Sequence, residues 1–161
     1  MVVKHLADAD SISQRRILAV ASSGGHWVQL QRLRPALNGH DIAFVTTNDG
    51  YRSETLPQRF YAVNDASRWN KLRLLQMALR IIVIMLRERP DVVISTGAAC
   101  GYFSIRLGKL MGARTIWIDS IANIDGVSMS GQLVRPYADL WLTQWPHLAQ
   151  PDGPHYAGAV L

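Results

Sequence analysis

The chain has 161 residues, 48% of them apolar and 18% charged, and 17 basic against 12 acidic side chains give a net charge of +5. That length supports one domain with a substantial core and is short for two. The single cysteine, Cys100, excludes an internal disulfide and a thiolate metal cluster, and the lack of like-charge runs or RNA-binding aromatic motifs argues against nucleic acid as a partner.

Residues 1–15 carry several charges and no long apolar core. They are expected to form a flexible N-terminal segment rather than a secretory signal, leaving the protein on the cytoplasmic side. A single domain is expected over 16–161. Its apolar runs predict strands over 17–21, 41–46, 60–63, 92–95, 115–118, 140–143 and 156–160, and helical spacing predicts helices over 27–37, 70–88, 101–111 and 130–137. Most of the strands are continuously apolar instead of alternating. Strands covered by helices on both faces read this way, so the expected fold is α/β: a doubly wound, mostly parallel, Rossmann-like sheet.

The first strand runs into Ser22-Ser23-Gly24-Gly25-His26 and then a helix. A glycine turn lets backbone approach a ligand, and the first N–H groups of the helix favour an anion, most often a phosphate. His26, which titrates near neutral pH, follows the glycines directly. The fourth strand opens into a similar stretch, Ser95-Thr96-Gly97-Ala98-Ala99-Cys100-Gly101-Tyr102, and the fifth into Asp119-Ser120-Ile121-Ala122-Asn123. In a doubly wound sheet these carboxyl ends converge on one crevice. Each loop alone also fits ordinary cap and turn chemistry, and Asp119 also fits a loop anchor.

Between these loops, Arg73, Arg80 and Arg87 recur every seven residues on an otherwise nearly all-apolar helix. The apolar run is too short and too interrupted to span a bilayer. Two readings stand, and both hold if they apply to different faces: a crossover helix packed on the sheet, and a helix lying in an anionic membrane surface. Trp27, beside the first loop, reads either as a membrane or sugar contact or as a core residue.

The first loop is not a dinucleotide fingerprint, because Trp27, Val28 and Gln29 occupy the start of its helix, and no Lys-Ser or Lys-Thr pair completes a P-loop. No His, Cys or acidic cluster has metal-ligand spacing, so neither a metal nor an organic cofactor is expected. Cys100 has no adjacent basic residue to lower its pKa, which argues against thiol catalysis.

In order along the chain, Ser22 to His26, Ser95-Thr96-Gly97 with Gly101-Tyr102, and Ile118 to Asn123 resemble the acceptor-side domain of family 28 glycosyltransferases. The pattern is most similar to the separate acceptor subunit of bacterial polysaccharide synthesis (PssD type). It also resembles the membrane-anchoring subunit of the two-subunit enzyme that adds the second N-acetylglucosamine to dolichol diphosphate, and the N-terminal domain of MurG. The likeness runs from about Arg16, through Tyr137 to Pro146, to the closing Tyr156 to Leu161.

The resemblance implies one half of a GT-B enzyme: an inverting glycosyltransferase subunit, inactive without a separate chain that binds most of the nucleotide sugar. It implies a lipid-diphosphate saccharide as acceptor, and peripheral attachment at the cytoplasmic face of the inner membrane. His26 would be the general base, with Asp119 orienting it or acting as the base itself. Ser23, Gly24, Gly25, Gly97, Ala98, Gly101, Tyr102, Ser120 and Asn123 would bind the acceptor, and Arg73, Arg80, Arg87 and Trp27 would meet the membrane. Ser22 and Ser23 replace the extra glycines of the MurG loop, so the grip on a diphosphate is expected to differ. A membrane scaffold without catalytic residues remains an alternative, as does an oxidoreductase in which Asp49 is the only acid placed for a ribose.

Overall fold

Along the first strand, Ile17, Ala19 and Ala21 face one side of the sheet and Leu18 and Val20 the other, and all five are buried. This is period-two geometry with both faces covered. In a computed structural model, which describes residues 13–160, the strands are β1 (Arg16–Val20), β2 (Asp41–Thr46), β3 (Arg59–Ala62), β4 (Val92–Ser95), β5 (Arg114–Ile118), β6 (Leu140–Thr143) and β7 (His155–Tyr156). All pair in parallel, in the order β3-β2-β1-β4-β5-β6-β7.

Helix α1 (Gly25–Leu33) covers one face, where Trp27 and Leu30 pack with Ile17, Phe44, Phe60 and Ile118. Helices α2 (Lys71–Glu88), α3 (Ala98–Leu110) and α4 (Met129–Val134) lie on the other face, which Leu18, Val45, Met77, Ile81, Ile105 and Trp117 fill. The strand order reverses between β1 and β4. That reversal opens a crevice at the carboxyl ends of these two strands.

The elements depart from expectation where local chemistry intervenes. α1 gives way at Arg34 to a 3₁₀ turn with Pro35 near its start, as proline allows only in a first turn. Residues 49–55 form an unexpected 3₁₀ segment capped by Asn48, whose side chain accepts from the Gly50 N–H. α3 begins three residues early, at Ala98, and α4 is shorter than predicted, with Ser128 as its cap.

The last strand spans two residues instead of five. Beyond it the Val160 N–H donates to the Gln144 side chain, 2.7 Å away, rather than to a neighbouring strand. The expected flexible segment lies outside the described residues over 1–12, whereas the Arg15 carbonyl already accepts from the Asp41 N–H at 2.9 Å. No helix among the described residues is long and apolar enough to cross a membrane.

Candidate functional site

The crevice is built around His26, in the first turn of α1. Its carbonyl accepts a 2.7 Å hydrogen bond from Thr96 Oγ1, tying α1 to the loop after β4. Its ring lies against Gly97: a Cβ there would stand 2.5 Å from Nε2 and closer still to Cδ2. Gly97 has φ +145°, so the close approach and the backbone both require glycine.

Nδ1 lies 2.8 Å from Ser22 Oγ, whose hydroxyl reaches the Ser23 carbonyl at 3.4 Å. The ring is thus tied to Ser22 through Nδ1, and no hydrogen-bond partner meets Nε2 among the described residues. Burial holds the imidazole below its ordinary pKa, and the nearby Asp119 carboxylate opposes that shift. The neutral, proton-accepting form is therefore favoured.

The anion donors differ from those expected. The Ser23 N–H donates to Thr47 Oγ1 at 3.0 Å, the Gly24 N–H to the Tyr51 hydroxyl at 3.2 Å, and the Gly97 N–H to Ser95 Oγ at 3.1 Å. These three groups are spent on the fold. No side chain caps either helix, so the donors left for a ligand are the first N–H groups of α1, at Gly25 and His26, and of α3, at Ala98 and Ala99. Gly24 still serves the turn, with φ +76°, and Ala98 takes φ +69°, a strained conformation for an L residue.

Other candidates belong to the framework. Trp27 is 2% exposed, stacks on Tyr51 at 4.9 Å and donates its indole N–H to Glu54, so it is a core residue and does not meet a membrane. Gly101 is buried, and a Cβ on it would overlap Ser95 Oγ and touch Trp117. It packs helix on strand and holds no ligand.

Asp119, also 2% exposed, accepts from the Ser128 N–H at 2.8 Å, Ser128 Oγ–H at 2.5 Å and Trp117 Nε1–H at 3.3 Å. Its carboxylate anchors the cap of α4 and is not free to act as a base. Ser120 is buried and accepts from Gln29 Nε2 at 3.1 Å. Asn123 is half-buried, with its N–H on the Ser120 carbonyl. Tyr102 lines a separate apolar groove of about 300 Å³ with Leu74, Phe103, Met129 and Leu133. Asp49, the acid considered for a ribose, pairs with Arg52 at 2.7 Å.

Sequence reasoning missed the buried glutamines. Gln29 Oε1 accepts from Gln144 Nε2 at 2.8 Å, and the same Nε2 group donates to the Asp119 carbonyl at 2.9 Å. The available signal was a glutamine on the apolar face of α1, between Trp27 and Leu30.

A second surface lies on α2. Met77, Ile81, Ile84 and Met85 are buried, whereas Leu72, Leu75, Leu79, Ile82, Val83 and Leu86 are exposed, and Trp69 just before the helix is 81% exposed. At 3.6 residues per turn those six occupy an arc of roughly 100° opposite the buried stripe. Exposed Arg73, Arg80 and Arg87 border this arc on one side. The helix thus has two apolar faces, one toward the sheet and one toward solvent.

A doubly wound sheet with a histidine between two glycine turns at its switch point is the Rossmann-like half of a GT-B fold. *Acinetobacter baumannii* MurG superposes with a TM-score of 0.69 at 12% identity, covering 89% of this chain and 45% of that one. A UDP-GlcNAc 2-epimerase from *Methanocaldococcus jannaschii* reaches 0.63 at 13%, covering 79% and 38%. At such identities the likeness speaks for the fold alone.

Residues 58–160, more than half of the chain, match the family described as "Oligosaccharide biosynthesis protein Alg14 like", and the chain belongs to that family. Proteins named UDP-N-acetylglucosamine transferase subunit ALG14 are similar to it. The *Eremothecium gossypii* protein is 26% identical, over 84% of this chain and 75% of its own length. The mouse protein is 24% identical, over 91% and 81%, and the *Yarrowia lipolytica* protein 31% identical, over 43% and 35%. In the *Yarrowia* case the match spans about a third of the relative's length.

Proposed function

We propose that this chain is the acceptor-binding, membrane-associating subunit of an inverting glycosyltransferase. A second polypeptide binds the nucleotide sugar, and the acceptor is a lipid-diphosphate-linked saccharide. The observation that carries this reading is His26, seated between two uncapped helix N-termini with no hydrogen-bond partner on Nε2 among the described residues. Relatives named as transferase subunits support a partner chain.

The N–H groups at the starts of α1 and α3 hold the diphosphate. Nε2 of His26 takes the proton of the acceptor hydroxyl as that oxygen attacks the anomeric carbon, and the nucleoside diphosphate departs from the opposite face with inversion. Such a base contributes ~10²–10⁴-fold. Gln29, Ser120 and Asp119 keep the loop beyond β5 in place around the acceptor.

In the complex with its partner, His26→Ala is expected to lower kcat by about 10²–10⁴-fold while pulldown of the partner is retained. Near-normal turnover would remove the base role, leaving the non-catalytic scaffold. Because burial lowers the His26 pKa, the acid limb of the wild-type rate should have its midpoint below about pH 6.5, the ordinary imidazole value. Stability follows the same sign. The unfolded chain binds the extra proton below about pH 6.5, so folding weakens as pH falls through that value and is unaffected above it.

The solvent-facing stripe of α2 lies on the bilayer surface, on the cytoplasmic face of the inner membrane, with Arg73, Arg80 and Arg87 among the headgroups. Changing Leu72, Leu79 and Val83 to Gln should release the protein from anionic vesicles with little change in Tm, because all three are exposed. Undiminished flotation of this triple variant would refute the assignment.

A further inference from the structure

At the end of the sheet opposite His26, the starts of β1 and β5 and the carboxyl end of α2 surround a cavity of about 630 Å³. Four arginines, Arg15, Arg16, Arg89 and Arg114, are among the residues that line it. One is neutralised: Arg16 grips Asp91 through two side-chain bonds of 2.8 and 3.3 Å, which hold the Asp91 carboxyl at about 2. Among the described residues, Arg15, Arg89 and Arg114 have no carboxylate within ion-pair distance.

Arg89 is also unusual in its backbone. It closes α2 with φ 44° and ψ 58°, the left-handed position that helices commonly give to glycine. A side chain kept there against its conformational preference points to a use for the guanidinium. Helix dipoles alone do not account for the cluster, because Arg15 precedes β1 and Arg114 begins β5. The rim is apolar: exposed Leu86 and Met111 line the cavity, and Leu86 is also the last member of the α2 stripe.

We propose that this pocket binds the phosphate of an anionic lipid headgroup, with Arg89 and Arg114 as its principal ligands, and so sets how α2 lies on the bilayer. The proposal rests on α2 being the membrane-facing helix. A lipid is favoured over a free phosphate because the cations and the apolar stripe adjoin. The headgroup meets the arginines while its chains continue along Leu86.

The test is flotation of the full chain on phosphatidylcholine vesicles with and without phosphatidylglycerol. Arg89→Lys with Arg114→Lys keeps the charge and loses the planar fork, and should weaken binding to the phosphatidylglycerol vesicles about tenfold. The control pair Arg32→Lys with Arg135→Lys, two exposed arginines outside both the pocket and α2, should leave it unchanged. Arg89→Gly should weaken vesicle binding while raising Tm by roughly 2–4 °C, since glycine suits the left-handed position. Equal loss in the two lysine pairs, or none in either, would overturn the pocket and leave α2 docking intact. Failure of the wild-type chain to float on either vesicle would overturn both. If soluble glycerol phosphate raises Tm of the wild type but not of the lysine pair, and vesicle binding is alike in the two, the ligand is a free phosphate and the lipid assignment falls.

Discussion

Under the proposed function, Gly97→Ala is expected to lower sugar transfer in the complex with the partner by at least about 100-fold, by displacing the His26 imidazole. The added Cβ would lie 2.5 Å from His26 Nε2, far inside van der Waals contact, so the imidazole must turn away. Turning breaks the 2.8 Å bond between Nδ1 and Ser22 Oγ that orients the ring. It also moves Nε2 from between the starts of α1 and α3. The backbone opposes the change as well, because φ +145° at Gly97 is rarely open to alanine. Strain and overpacking of this kind cost about 1–3 kcal/mol, which a domain of ordinary stability withstands. Turnover should therefore collapse while the circular dichroism spectrum and partner pulldown persist. Near-normal kcat in this variant would mean that the position of the His26 ring does not matter to the reaction.

The second large effect is on stability. Asp119→Ala is expected to destabilise the fold by about 3–5 kcal/mol, because three donors, the Ser128 N–H, Ser128 Oγ–H and Trp117 Nε1–H, would lose their acceptor. The effect spreads to α4. Ser128 Oγ donates to Asp119 and at the same time accepts from the Gly131 N–H at 2.9 Å, so the carboxylate holds the residue that caps the helix. For a chain of this length the loss corresponds to a Tm lower by roughly 6–20 °C. Asp119→Asn retains one acceptor oxygen and should fall between the variant and the wild type. A melting curve for Asp119→Ala within a degree of wild type would return the carboxylate to the list of catalytic candidates. A large Tm loss, with specific activity per folded molecule preserved at low temperature, would fix it as a structural residue.

These two residues stood side by side as candidates in the sequence, and the structure separates them by what each can touch. Both follow a strand in a polar loop, and both types of side chain serve as bases. His26 is held by a single serine and faces the crevice, whereas every strong contact of Asp119 runs inward, to the cap of α4 and to a core indole. Trp27 divides in the same way. Its place beside the glycine turn left a membrane or sugar contact and a core role both open, and helical spacing from His26 carries it onto the sheet, where Phe44 and Phe60 meet it edge-on. The helix over 70–88 was the opposite case. Its excess of apolar residues was legible: the reading as a crossover helix applies to the face buried on the sheet, and a second apolar face turns outward.

By itself the sequence determined the layered parallel sheet, the order of helices between strands and the positions of the two glycine turns. Continuous apolar runs have one stable arrangement when helices alternate with them, and a glycine turn is a local property of a few adjacent residues. Only the tertiary structure decided which polar groups remain available to a ligand. The N–H of Gly24 is taken by Tyr51, that of Ser23 by Thr47 and the carboxylate of Asp119 by Ser128. Each of these partners comes from another part of the chain, where spacing and periodicity carry no information. The packed sheet brings them within hydrogen-bond reach, and a buried polar group is satisfied by whatever the fold sets beside it.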